Sequence, residues 1–242
     1  MRKFFLLTFI LIVNLVSAQE YILKGEIQLP DGKFTTDPLG NIYIFNKGDV
    51  TKFSPEGMEL NRFSTRDFGE ISNVDASNPL KVLVVFQEFS KAVILDASLG
   101  QNSTFDTSFP NIPFVKLICS SRENGFWIFD PIEKRLKRIS EQLTILEEGT
   151  PIRQITEEAI VPSQIFDSGN WLVINTTDFG FLVFDRFGTY YKTVKPSFNG
   201  NVQVNGNEIL FKEKDKMVLI DIKSGITRHF VLPENEVSDE CR

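Results

Sequence analysis

Histidine is almost missing from this sequence. His229 is the single copy, which leaves no basis for a Ser-His-Asp triad or a histidine-built metal centre. Cysteine is nearly as scarce, with Cys119 and Cys241 the two copies. Basic charge is in deficit: 26 Lys and Arg stand against 32 Asp and Glu, a formal net charge of −6. An acidic chain of this kind repels phosphate backbones, so nucleic acid is not an expected partner. Long apolar runs are absent beyond the amino terminus, so no membrane span is expected in the mature chain. No motif for a cofactor is present, and none is expected. What abounds is phenylalanine, with 23 copies against 4 Tyr and 2 Trp.

The amino terminus reads as an export signal. Arg2 and Lys3 form a positive start, and Phe4 to Val16 is apolar apart from Thr8 and Asn14. Val16-Ser17-Ala18 supplies the small residues that signal peptidase needs, so cleavage is expected between Ala18 and Gln19. The run is shorter than the roughly 20 residues that a spanning helix takes, which argues against a membrane anchor. Loss of Arg2 and Lys3 lowers the net charge from −6 to −8. No cysteine follows the cleavage site, so no lipid anchor is expected.

The rest of the chain is a repeat. Its best copy is Asp37-Pro-Leu-Gly-Asn-Ile-Tyr-Ile-Phe45, a polar hairpin at 46–49, Val50-Thr-Lys-Phe53 and Ser54-Pro-Glu-Gly57. It reads as turn, strand, hairpin, strand, turn. The same order returns four times, with second strands ending at Leu95, Ile139, Phe184 and Ile220. Counted from Phe53, the steps are 42, 44, 45 and 36 residues. Periods near 40–50 residues belong to propeller blades of four strands each. Gly-Asn pairs supply the positive φ of tight turns. Strands such as Val82 to Phe86 are apolar throughout, which predicts cover on both faces. More polar outer strands are expected at 60–63, 188–194 and 226–232.

The stretch Asp37-x-x-Gly-Asn-Ile-Tyr-Ile44 resembles the repeat of the NHL class of β-propellers, and the later copies resemble it more weakly. The expected fold is therefore all-β, a single β-propeller of five blades, with six as the alternative. The segment Tyr21 to Leu29 reads as one more strand, expected to join the last blade and close the ring. The expected organisation is a signal peptide at 1–18, the propeller at 19–233 and a polar tail at 234–242. The NHL likeness implies architecture alone, because such propellers serve both binding and catalysis.

Three acidic residues are the candidates for chemistry. Asp37, Asp75 and Asp167 each follow an expected inner strand, and paired carboxylates could hydrolyse a glycosidic bond. All three hold the same repeat position, where Asp also serves a turn by accepting from backbone amides. Asp96, Asp185 and Asp221 share another repeat position and read as turn residues. Cys119 and Cys241 either pair in an oxidising compartment or stand as a buried thiol and one in the tail. Phe105 and Phe109 lie among polar residues and prolines. They are either partner contacts on an exposed loop or packing residues of an outer strand.

These readings favour a non-enzymatic propeller that binds a protein partner, with a glycan-binding or glycan-hydrolysing propeller as the alternative. The Ser-Ala-Gln-Glu junction resembles secretory signals of Bacteroidota. That resemblance implies the periplasm, with secretion or the cell surface as the alternative. In that setting one candidate role is an accessory, plug-like subunit of the type 9 secretion translocon, although no motif carries it.

Overall fold

The computed structural model describes residues 27, 32–108, 115–214 and 216–231. Five four-stranded antiparallel sheets form a ring, each built from consecutive strands. Blade 1 holds β1 (Lys33–Thr36), β2 (Ile42–Asn46), β3 (Asp49–Phe53) and β4 (Glu59–Ser64). Blade 2 holds β5 (Asn73–Asp75), β6 (Val82–Phe86), β7 (Lys91–Leu95) and β8 (Gln101–Asp106). Blade 3 holds β9 (Ile118–Ser120), β10 (Phe126–Asp130), β11 (Arg135–Ile139) and β12 (Ile145–Glu148). Blade 4 holds β13 (Pro162–Ser168), β14 (Trp171–Thr176), β15 (Phe181–Asp185) and β16 (Tyr190–Val194). Blade 5 holds β17 (Val202–Asn205), β18 (Glu208–Glu213), β19 (Lys216–Asp221) and β20 (Thr227–Val231). The expected five-bladed propeller is what the chain forms.

The repeat seen in sequence is the middle hairpin of each blade. Its register markers also have a structural meaning. At Phe53, Leu95, Ile139 and Phe184 the pairing to the outer strand slips by a bulge. A bulge adds local twist and turns the outer strand away from the ladder, and the unit repeats it in blades 1 to 4.

Burial follows from position in the ring. Every residue of β6, β10 and β14 is buried. Their alternate side chains point to opposite neighbours, and both neighbours are blades. One apolar cluster joins blades 1 and 2 through Tyr43, Val50, Val84 and Val93. Others join blades 2 and 3 through Leu83 and Ile128, 3 and 4 through Trp127 and Leu172, and 4 and 5 through Val183 and Ile209. In β2 and β18 the burial alternates instead, with Ile42, Ile44 and Leu210 only half-buried. No corresponding cluster joins blade 5 to blade 1 among the described residues.

Blade 5 takes all four of its strands from its own repeat. Tyr21 to Leu29, the segment expected to close the ring, lies outside the described residues apart from Ile27. Ile27 is half-buried beside Gly57, in the β3–β4 turn of blade 1. The export signal, with Ala18 and Gln19, and the tail at 234–242 also lie outside the described residues.

One charged pair is buried inside a blade. Lys137 on β11 and Asp130 on β10 leave 4% and 1% of their side chains exposed, with Nζ 2.8 Å from Oδ2. Glu133 adds a second carboxylate at 3.0 Å. The other Asp130 oxygen accepts from the backbone N–H groups of Ile132 and Glu133, which fixes the β10–β11 turn. Burial alone would raise the Asp130 pKa, but the hydrogen bond from Lys137 and the two backbone donors outweigh it and hold it low.

Because that pKa is depressed, Asp130 contributes stability above the ordinary carboxylate range and loses it on acidification. Lys137→Met strands a buried carboxylate and should cost about 3–5 kcal/mol in urea unfolding at neutral pH. Adding Asp130→Asn to it should recover part of the loss. If the double variant is no more stable than the single one, the pair is not what Lys137 contributes.

Candidate functional site

The five inner strands, β1, β5, β9, β13 and β17, surround a central cavity of about 830 Å³. Inner strands are short and lightly apolar because their inward side chains meet solvent instead of another blade. The two ends of the ring differ, and the three candidate acids share one of them. This is the end where first and second strands are joined, here called the turn end.

Asp37 is consumed by its own turn. One carboxylate oxygen accepts from the N–H groups of Leu39 and Asn41, both at 2.9 Å. The other accepts from Asn41 Nδ2 and from the buried hydroxyl of Tyr43. Burial, followed by that bond to Asp37, pushes the Tyr43 hydroxyl well above its ordinary pKa. Asp75 divides its oxygens between Ser77 N–H in its turn, at 2.9 Å, and Ser120 N–H on blade 3, at 2.6 Å. Asp167 accepts from Arg122 N–H, also on blade 3, at 3.1 Å. Blades 2 and 4 thus both clasp the β9–β10 connection of blade 3. Each acid is a turn or cross-blade acceptor.

The pKa of Asp167 is raised. Burial is the main cause, and the charges of Asp75 and Glu123 add to it against Arg122. Cys119 lies in the same region and is fully enclosed. Burial pushes its thiol far up, and Asp75 and Asp167 push it further. A thiol so protonated is a packing group and not a nucleophile. Cys119 is unbonded among the described residues, and Cys241 lies outside them. No three His, Cys, Asp or Glu side chains among the described residues stand close enough to share a metal ion.

Asp96, Asp185 and Asp221 are turn acceptors, as their repeat position suggested. Hydrogen bonds from Ser98 and Ser224 respectively lead the depression of the Asp96 and Asp221 pKa values. Of the two readings of Phe105, the structure carries the packing one. It belongs to the outer strand β8 and packs on Phe126 of blade 3, ring centres 4.8 Å apart. Phe109 lies outside the described residues.

The sequence reading missed what sits at the tips of these turns. Leu39, Met58, Leu80, Phe187 and Ile226 are all exposed, between 49% and 68%, and all lie at the turn end. Each donates its own backbone N–H to a side-chain acceptor in its turn: Asp37, Ser54, Asn78, Asp185 and Ser224 respectively. The signal was available as Asp-Pro-Leu39, Asn-Pro-Leu80, Asp-Arg-Phe187 and Ser-Gly-Ile226: an acceptor, then an apolar residue two places on. The turn end is also stitched between blades. Lys52 Nζ donates to Ala97 O at 2.9 Å. Ser168 and Asn207 accept from Gly206 N–H and Trp171 Nε1 at 2.9 and 2.7 Å.

No protein-family model and no curated protein matches the sequence. Similarity to solved structures is extensive in shape. Virginiamycin B lyase from Staphylococcus aureus shares 17% identity over 85% of this chain and 71% of its own, with a TM-score of 0.54. The Pan2 WD40 domain of Neurospora crassa shares 10% over 82% and 64%, also at 0.54. A Bacteroides caccae protein of unknown function shares 12% over 78% and 69%, at 0.51. At these identities the likeness is one of fold, a repeat-type β-propeller. The fold is held by a lyase and by a protein of unknown function alike.

Two measurements check this account. With Cys241 replaced by serine, Cys119 should stay unmodified by iodoacetamide in the native protein and react once urea unfolds it. The folded state binds the Asp167 proton more tightly than the unfolded state does, so this group lowers stability as pH rises above about 4. Asp167→Asn keeps an acceptor for Arg122. Its melting temperature should therefore gain on the wild type between about pH 4 and pH 7.

Proposed function

We propose that this chain is a non-enzymatic propeller that binds a protein partner through its turn end. The observation that supports this reading is the set of five exposed apolar side chains there, each mounted on a hydrogen-bonded turn. Turns fixed in this way lose little freedom on docking, and preorganisation of that sort converts contact into affinity. The candidate acids already serve turns and blade contacts, which leaves them little capacity for catalysis. The lyase activity of a structural neighbour is not carried over, because nothing at 17% identity transfers its site.

The export signal supports a setting in the cell envelope, with the periplasm favoured over the cell surface. Among envelope partners we favour an outer-membrane protein-transport machine, such as the type 9 translocon. The signal and the rigid apolar end support that choice.

The test is co-purification of the tagged chain from the native envelope. The wild type should retrieve a stoichiometric partner. A Leu80→Asp/Phe187→Asp variant should lose it while its unfolding free energy stays within about 1 kcal/mol, as suits two surface substitutions. A wild type recovered only as monomer, or a variant that retrieves the same partner, overturns the proposal.

A further inference from the structure

The central cavity carries a second recognition surface, independent of the turn end. The protein is acidic overall, but the mouth opposite the turn end is basic. Lys33 at the start of β1, Lys116 just before β9, and Lys212 near the β18–β19 hairpin all line the cavity. None of the three has an ion-pair partner among the described residues. The one carboxylate in the lining is Asp75. Its oxygens are already held by Ser77 and Ser120. Unneutralised ammonium groups around a concave opening concentrate anions there.

The lining is also rich in carboxamides. Asn73, Gln87, Asn201 and Gln203 face the cavity and make no side-chain hydrogen bond among the described residues. Each keeps two donors and an acceptor unspent. Gln164 is held in place from behind. Its Oε1 accepts from Asn175 Nδ2 at 3.0 Å, and Asn175 is fully buried and anchored to Phe198 O at 2.8 Å. That bond turns the acceptor of Gln164 inward to the blade and leaves its NH₂ donors for the cavity. Phe34, 40% exposed, and Phe166 add apolar surface to the same lining.

We infer that the channel binds a short acidic oligosaccharide, entering at the lysine-bearing mouth. The chemistry matches part by part. Carboxamides exchange paired hydrogen bonds with neighbouring sugar hydroxyls, lysines meet the uronate carboxylates, and the phenylalanines cover the C–H faces of the rings. The volume falls in the range of about 300–1,000 Å³ that small-ligand sites occupy. An acidic peptide would use the lysines too, so hexa-aspartate is the competing occupant that the test includes. Binding alone is inferred.

The experiment is calorimetric titration of the purified mature chain with trigalacturonate, maltotriose and hexa-aspartate, at low and at physiological salt. Trigalacturonate should bind, should weaken as salt rises, and should bind at least tenfold tighter than the other two. Lys33→Gln/Lys116→Gln should weaken it by tenfold or more. Asn73→Ala/Gln203→Ala should weaken it at both salt concentrations alike. These positions lie on the channel surface, and unchanged circular dichroism checks that each variant is folded. No heat with trigalacturonate, equal affinity in the lysine variant, or tighter binding of hexa-aspartate overturns the inference. Because neither variant touches the turn end, partner retrieval from the envelope reports separately on that surface.

Discussion

The structure depends on burying both faces of each blade's middle hairpin. A strand such as β6 has no solvent side at all, so its five residues Val82 to Phe86 are held by two neighbours at once. The other features of the ring follow from this. Polar side chains are driven out of the middle strands to the inner strands, where they line a cavity, and to the outer strands, where they meet solvent. The connections are left short, so their backbone groups must be satisfied locally. Asp, Asn and Ser at the turn starts do that work. Inside the blades, the Lys137–Asp130 pair is completed by Glu133 and two backbone donors, and the side-chain N–H groups of Asn175 by Gln164 and Phe198.

Much of this was legible in the sequence. The unit length, the number of blades and the identity of the middle strands followed from Phe53, Leu95, Ile139, Phe184 and Ile220. The acids at the turn starts could be read as acceptors because their role recurs. The cross-blade reach of Asp75 and Asp167 could not be read, since their partners Ser120 and Arg122 lie 45 residues away in each case. The cavity lining escaped for a similar reason. It is assembled from residues of all five inner strands, and those strands are too short and mixed to show a period. For Phe105 the sequence left two readings open, and its pairing with Phe126 across blades is again a contact that local sequence does not display.

At the turn end several carboxylates are consumed by structure, and five apolar side chains stand exposed on fixed turns. At the other end Phe89 and Ile132 are exposed as well, and the channel mouth adds amides and ammonium groups with few internal partners. An acidic chain with a basic opening also orients itself electrostatically toward an anion before contact.

The alternating burial of β2 and β18 has a mechanical consequence. Blades 2, 3 and 4 are each supported on two sides among the described residues, while blades 1 and 5 share an apolar cluster with one neighbour only. In a repeat array, stability is a sum of unit terms and nearest-neighbour terms. Local opening should then cost least in the first and last blades and most in blade 3. On the contacts of the described residues, amide-exchange protection should be highest around Trp127 and Ile128.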